Sequence, residues 1–182
     1  MLVLASKSPR RQQILRDAGL PFGVRSADVY EEREPGESAI DYVRRLAEEK
    51  ALAVPMYASE VVLGADTVVV IDGEVLEKPK SEADAARMLG LLSGREHEVI
   101  TGICLHSITR TIVDTATTRV HFVPLTPKEI AAYVATGEPM DKAGGYAIQG
   151  LAAKFIDRIE GCYFNVVGLP VALVYRHLKE LR

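Results

Sequence analysis

The sequence predicts an α/β protein with a mixed sheet, and the order of its apolar segments is the main reason. Near both ends of the chain, short apolar segments alternate with amphipathic helical segments, as in βα units. The centre of the chain carries longer β-branched segments that indicate antiparallel hairpins. The chain of 182 residues has no internal repeat and no linker, so we expect one domain over residues 1–182.

Each predicted element has a local signal. Residues 2–5 are apolar and predict a buried strand. Ser8 suits the N-cap and Pro9 the first position of a helix that stops at Gly19. The other predicted elements are a strand over residues 22–25, a helix from Ser38 to Pro55, a strand over 61–71, a hairpin turn at Asp72-Gly73, a helix from Ser81 to Leu92, strands over 99–105 and 111–123, a helix from Thr126 to Gly137, a strand over 155–159 and a last helix from Pro170.

Charge and hydropathy exclude several classes of function. The formal net charge is −3, which argues against non-specific binding to nucleic acid or to an anionic membrane. No apolar run approaches the roughly 20 residues that a membrane-spanning helix needs, and no secretory signal pattern is present. We therefore expect a cytoplasmic protein without a nucleic-acid or membrane partner. Cys104 and Cys162 lack metal or redox spacing and are expected to be buried thiols.

Arg10 and Arg11 fall in the first turn of the first predicted helix. Unpaired amides and the helix dipole already create positive potential there, so two cations carry a local cost. A bound phosphate would offset that cost, because a helix N-terminus with guanidinium groups nearby is a phosphate site. The alternative is two solvated arginines at the surface.

Asp66 lies inside the most apolar segment of the chain. Aspartate is a poor strand former, and an unpaired buried carboxylate is costly, so it requires a cation, a metal or several hydrogen bonds. The alternative is an aspartate at a strand end that caps its neighbours. Lys50, Lys78 and Glu31 are further candidates, although each is also compatible with a solvated surface position. A carboxylate such as Glu31 suits Mg²⁺, which combines one or two carboxylates with waters and phosphates.

Residues 141–150 form a glycine-rich stretch that ends in Gln149. Its glycines permit the backbone to approach a ligand closely, and Gln149 offers a donor and an acceptor, as recognition of a nucleobase edge requires. A flexible surface loop is the alternative, although Tyr146 and Ile148 indicate a segment that packs. The chain contains no GxxxxGK[ST] and no GxGxxG motif, and its four histidines stand singly and are assigned no role.

Taken together, six segments resemble the Maf family of nucleoside triphosphate pyrophosphatases. They are residues 4–11 (LASKSPRR), 64–69 (GADTVV), 78–79 (KP), 92–95 (LSGR), 138–144 (EPMDKAG) and 168–170 (GLP). The resemblance implies an inosine-triphosphate-pyrophosphatase-like α/β fold, with an elongated mixed sheet flanked by helices and two lobes around a cleft. It also implies cleavage of a nucleoside triphosphate to the monophosphate and pyrophosphate with a divalent cation (Mg²⁺ or Mn²⁺, or Co²⁺), by a homodimer.

The resemblance also assigns roles to individual residues. It implies that Asp66 is the proton acceptor and that Glu31 belongs to the polar lining of the cleft. We expect Asp66 or Glu31 to be the metal ligand, because Asp66 cannot easily be both a direct ligand and a free base. The residues expected to set substrate choice are Arg10, Thr67 and Gln149. The residues expected to bind phosphate are Ser8, Arg11, Lys50 and Lys78. Residues 146–150 (YAIQG) are similar to the branch that acts on dTTP and UTP.

Two positions depart from the family pattern, and two other functions stay open. Glu77 stands where glycine is usual, and Tyr30 stands where an acidic residue is common. The alternatives are a non-catalytic nucleotide-binding regulator of septum formation and a 7-methyl-GTP pyrophosphatase. Asp66 and the lysines favour catalysis, because a pure binding protein needs no carboxylate facing a polyphosphate.

Overall fold

The computed structural model describes residues 1–181. The strands are β1 (Leu2–Leu4), β2 (Phe22–Val24), β3 (Val61–Ile71), β4 (Glu74–Leu76), β5 (Glu96–His106), β6 (Thr111–Phe122) and β7 (Ile156–Glu160). The helices are α1 (Pro9–Asp17), α2 (Ala39–Leu52), α3 (Glu82–Leu92), α4 (Pro127–Val134), α5 (Tyr163–Val167) and α6 (Val171–Glu180). Three 3₁₀ turns cover Glu138–Asp141, Ala143–Gly145 and Leu151–Phe155.

The seven strands form one mixed sheet, which confirms the predicted fold class. Its order is β2-β1-β3-β5-β6-β7, and β4 pairs with β3 outside this path. Strand β1 is parallel to both β2 and β3, whereas β4 is antiparallel to β3 and β7 is antiparallel to β6. The parallel pairs are joined by helical connections, and the β3–β4 hairpin turns at Asp72-Gly73 as the pattern predicts. Strand β7 pairs with β6 only after α4 and the three 3₁₀ turns, a pairing that the sequence did not predict.

The described chain divides into two compact units. The first unit contains Met1–Thr67, Thr101–Ala116 and the segment from Gly168 onward, and the second contains Val68–Ile100 and Thr117–Val167. Strands β3, β5 and β6 each contribute residues to both units. The interpretation of residues 1–182 as a single domain stays a prediction.

Each unit has its own hydrophobic core. The core cluster of the first unit is made of Val3, Ala5, Ala47, Ala51, Val54, Val62 and Cys104. The core of the second unit is aromatic and aliphatic, and its members include Phe122, Phe155, Tyr133, Tyr146, Leu89, Leu92 and Met88. Cys104 is buried as expected, whereas Cys162 is only half-buried, and both are free thiols.

The helix caps follow the sequence signals. The Ser8 hydroxyl accepts from the Arg11 amide, and Thr126 and Glu129 form the reciprocal capping box of α4. Helix α4 is shorter than predicted and ends at Val134, before Gly137. The sequence assigned no element to residues 163–167, which form α5, or to the 3₁₀ turns between residues 138 and 155.

Helix α2 packs directly on strand β3 at Gly64. A Cβ atom at Gly64 would overlap the Ala47 carbonyl oxygen, so only glycine allows the helix backbone to approach the strand this closely. Asp66 lies two residues beyond Gly64 on the same face of β3, and Lys50 lies one turn beyond Ala47 on α2. This packing brings the Lys50 side chain to Asp66.

No helix within residues 1–181 is both long enough and apolar enough to cross a bilayer.

Candidate active site

Lys50 holds two carboxylates in the first unit. Its ammonium lies 2.7 Å from Asp66 Oδ1 and 2.6 Å from Glu31 Oε1. The Lys50 and Asp66 side chains are only 12% and 13% exposed, whereas that of Glu31 is 46% exposed. Asp66 therefore has the cation that its buried position requires, and it shares this cation with a second acid.

The pKa of Asp66 is raised above its ordinary value of 3.8. Burial is the largest cause, because it disfavours the ionised carboxylate. The charges of Lys50 and Arg11 oppose this effect, and the charge of Glu31 adds to it. Asp66 is thus a carboxylate with increased proton affinity, which is the property that a proton acceptor needs.

Arg11 is held by three uncharged oxygens. Its Nε donates to the Gly168 carbonyl at 2.8 Å, Nη1 donates to Ser6 Oγ at 3.4 Å and Nη2 donates to Thr67 Oγ1 at 3.1 Å. Burial lowers the pKa of this guanidinium, against the opposing charge of Asp66. None of these three bonds neutralises the positive charge, and a guanidinium has further N–H groups to offer an anion.

The N-terminus of α1 brings together Ser8, Arg10 and Arg11. Ser8 Oγ accepts from the Arg11 amide at 3.4 Å, so the Ser8 hydroxyl caps the helix. Arg10 is half-buried in the first turn of α1, which has no acidic residue. The amides, the two guanidinium groups and the helix dipole all favour an anion at this end of the helix.

Lys78 and Gln149 belong to the second unit. Both are exposed, and Lys78 lies two residues beyond the end of β4. The Glu77 carbonyl accepts from the Gly144 amide at 3.1 Å, which fixes the segment before Lys78 to the glycine-rich stretch. The departure at position 77 therefore leaves this backbone contact in place.

The segment that carries Gln149 is anchored on both sides. The Tyr146 hydroxyl is buried and lies 2.7 Å from His97 Nε2. On the other side, the Leu151 amide donates to both oxygens of Glu138 at 3.1 Å. The expectation that Tyr146 packs is confirmed, and His97, which the sequence assigned no role, is one of its partners.

The donor set in the first unit fits a divalent cation of the Mg²⁺ type. Glu31 and Asp66 already bind one cation, the Lys50 ammonium, and their oxygens are the hard ligands that such an ion prefers. Within residues 1–181, no group of three or more His, Cys, Asp or Glu side chains is arranged to hold a metal. Water and phosphate oxygens would have to supply the other ligands.

Sequence reasoning missed Ser6, Thr101 and Gly168. Ser6 and Gly168 accept from Arg11, and Thr101 Oγ1 lies 2.9 Å from Thr67 Oγ1. Ser6 and Gly168 fall inside two of the segments that carry the family resemblance, but their contacts depend on long-range packing. Thr101 lies in an apolar strand, and its hydroxyl is the only local signal of a polar role.

The family model described as Maf-like protein matches residues 1–181. The chain belongs to the Maf family.

Curated relatives match the chain over nearly its full length. A dTTP/UTP pyrophosphatase of Koribacter versatilis is 54% identical to this chain. The match covers 98% of this chain and 93% of the relative's length. One of Symbiobacterium thermophilum is 53% identical, with the same coverage of both chains. One of Citrifermentans bemidjiense is 51% identical over 99% of this chain and 95% of its own.

Among solved structures, the Ham1 protein of Staphylococcus aureus is partly similar. The superposition covers 66% of this chain and 71% of the Ham1 chain, with a TM-score of 0.45 and 17% sequence identity.

Proposed function

We propose that this member of the Maf family hydrolyses dTTP and UTP to the nucleoside monophosphate and pyrophosphate. The observation that carries the proposal is Asp66, a carboxylate only 13% exposed, with a raised pKa and a lysine beside it, in the same unit as an arginine-bearing helix N-terminus. The relatives named dTTP/UTP pyrophosphatase support the choice of substrate.

Arg11 and the N-terminus of α1 bind the triphosphate in this proposal. Arg11 is held in one orientation by uncharged oxygens, so little rotational freedom is lost when it binds an anion. Ser8 contributes through the cap that fixes the first turn of the helix. Lys50 forms ion pairs with Asp66 and Glu31 and balances their charges. The direct contact of Lys50 with phosphate stays a prediction.

Glu31 or Asp66 would hold the divalent cation in this proposal, and Mg²⁺ or Mn²⁺ matches their oxygen donors. When bound, such a cation supplies charge neutralisation at the phosphate oxygens and increases the acidity of a nearby water. Lys50 contacts one oxygen of each carboxylate, Asp66 Oδ1 and Glu31 Oε1, and each carboxylate has a second oxygen that could bind the cation. Glu31 is the more exposed of the two, which favours Glu31 as the direct ligand and Asp66 as the base.

Asp66 accepts a proton from the attacking water. The water oxygen forms a bond to the α-phosphorus, and the anhydride bond between the α-phosphorus and its bridging oxygen breaks. Pyrophosphate leaves with the electron pair of that bond, and the water proton resides on the Asp66 carboxylate. Arg11 stabilises the negative charge that develops on the phosphate oxygens.

Base recognition is assigned to Gln149, with Arg10 and Thr67 as the other residues expected to set substrate choice. Gln149 is exposed on a segment that is anchored on both sides, so its amide is presented by a fixed backbone. A site built to pair with a pyrimidine edge rejects purines by size and by leaving polar groups unpaired. Lys78 is assigned to phosphate by the resemblance. A homodimer, a cytoplasmic location and the absence of a nucleic-acid partner stay predictions.

The direct test is pyrophosphate release from a panel of nucleoside triphosphates, with and without Mg²⁺ or Mn²⁺. We expect metal-dependent release from dTTP and UTP and little from purine nucleotides. Release from 7-methyl-GTP alone would contradict the assignment of Gln149. Binding of nucleotide without release from any member of the panel would indicate a regulator rather than an enzyme.

A further inference from the structure

Thr101 is a buried polar residue in an apolar strand. It is 0% exposed, and its neighbours in β5 are mainly aliphatic. Valine has nearly the same shape and would avoid the cost of burying a hydroxyl, so the hydroxyl needs a partner that compensates for it. One partner is Thr67, whose Oγ1 lies 2.9 Å away.

The Thr67 hydroxyl is fully engaged by groups of the protein. A hydroxyl offers one hydrogen and two lone pairs. Arg11 Nη2 donates to it at 3.1 Å, Thr101 shares a hydrogen bond with it, and it donates to the Gly168 carbonyl at 3.4 Å. Thr67 therefore has little capacity left to pair with a nucleobase. We expect it to affect substrate binding through its hydrogen bond with Arg11.

Gly168 closes the same network. Its carbonyl accepts from Arg11 Nε, and its φ of +125° is a conformation that residues with a Cβ rarely adopt. A Cβ at this position would lie 3.8 Å from Thr67 Oγ1 and 3.9 Å from Arg11 Nε. The backbone is therefore shaped to place one carbonyl oxygen against both side chains.

We propose that Thr101 is a positioning residue for the triphosphate, which acts by fixing the Thr67 hydroxyl and, through it, the Arg11 guanidinium. The proposal rests on the proposed function, because it assigns Arg11 to the triphosphate. Thr101 touches no substrate itself. Its hydroxyl restricts Thr67 to one orientation, and that orientation keeps the oxygen directed at Arg11.

The test uses Thr101→Val, which removes the hydroxyl at nearly constant shape, and Thr101→Ser, which keeps it. We expect Thr101→Val to raise the KM for dTTP about tenfold with a smaller change in kcat, because the hydrogen-bonded support of a charged ligand is lost. Thr101→Ser should restore a KM close to that of the wild type. If the valine variant does not fold, Thr101→Ala tests the same expectation.

The matched control is Thr118→Val, in the second unit. Thr118 is also a fully buried threonine, and its hydroxyl bonds Cys162 and Asn165. This variant should lower the unfolding temperature and leave the KM for dTTP unchanged. An unchanged KM in Thr101→Val, or equal losses in the valine and serine variants, would overturn the proposal.

A double-mutant cycle tests whether Thr101 acts through Thr67. The KM of the Thr67→Val/Thr101→Val protein should match that of Thr67→Val alone, and additive effects would contradict the proposed route. Calorimetric binding of inorganic tripolyphosphate separates this inference from the proposed function. If no nucleotide is hydrolysed and Thr101→Val still weakens tripolyphosphate binding, only the function fails. If no nucleotide is hydrolysed and Thr101→Val leaves tripolyphosphate binding unchanged, the proposed function and the positioning role of Thr101 are both wrong.

Discussion

Glu60 and Asp66 are two shielded carboxylates in the first unit whose pKa values shift in opposite directions. Glu60 directly precedes β3, and Asp66 lies within it. Their side chains are 4% and 13% exposed, and each contacts one cationic side chain. The pKa of Glu60 is lowered to about 2, whereas that of Asp66 is raised above 3.8.

The two pKa values shift in opposite directions because, within residues 1–181, Arg25 pairs with Glu60 alone in this contact, whereas Lys50 is shared between Asp66 and Glu31. Arg25 donates to both oxygens of Glu60, and the Tyr57 amide adds a third bond at 3.0 Å. These bonds favour the ionised form by more than burial disfavours it. Asp66 receives one bond from a lysine that also serves Glu31, so burial prevails. A fully paired carboxylate stabilises the fold, and an underpaired one can take up a proton.

The largest expected effect is on turnover. Asp66→Asn should lower kcat for dTTP by about 10²–10⁴-fold, because it removes the proton acceptor, while nucleotide binding is retained. Glu60→Gln is the matched control, since it makes the same chemical change at the other shielded carboxylate and should leave kcat near the wild-type value. Steady-state pyrophosphate release checks both. A kcat within about tenfold of the wild type in Asp66→Asn would remove this residue from the mechanism.

The stability effects should have the opposite order. Glu60 has a depressed pKa, so it stabilises the fold above its ordinary pKa of 4.5, and this stabilisation is lost as the pH falls from 4.5 through about 2. Asp66 has a raised pKa, so its ionised form costs stability at neutral pH. At pH 7, Glu60→Gln should therefore unfold at a lower temperature than the wild type, whereas Asp66→Asn should not.

Thermal unfolding in metal-free buffer between pH 7 and pH 2 measures this contrast. The gap in stability between the wild type and Glu60→Gln should close across the acid range. A gap that stays constant to pH 2 would show that the ion pair with Arg25 is not its source.

The smallest expected effect is a shift in the pH–rate profile. Glu31→Gln should lower kcat/KM at every pH, because it removes the proposed metal ligand. Since the charge of Glu31 also contributes to the raised pKa of Asp66, the variant should in addition move the acidic limb of kcat/KM to lower pH. The shift should be modest because Glu31 is 46% exposed. Glu32→Gln, the same change at the next residue, should leave the limb in place. Equal shifts in the two variants would point to a general charge effect.

Local signals predicted much of the fold. The caps at Ser8 and Thr126 and the mixed sheet all follow from short-range patterns. The 3₁₀ turns and α5 were missed because they are only three to five residues long, too short for a periodic pattern, and tertiary packing decides their conformation. Helix α4 ends before the glycine that was expected to stop it.

The site was only partly predictable, because its contacts are long-range. A carboxylate in an apolar strand predicted that Asp66 needs a partner. Lys50 is flanked by two glutamates and gave no sign that it is that partner, since the contact depends on α2 packing at Gly64. Thr101 was missed for a related reason, because one hydroxyl in an apolar strand has no periodicity to mark it.

The most direct test of the central claim is a carboxyl ¹³C NMR titration of the metal-free protein that follows Asp66 and Glu60 in the same samples. The signals are assigned with Asp66→Asn and Glu60→Gln. We predict that Asp66 titrates above 3.8 and that Glu60 titrates near 2. If Asp66 instead titrates at or below 3.8, it is a fully paired structural carboxylate like Glu60, and the account of it as the proton acceptor is wrong.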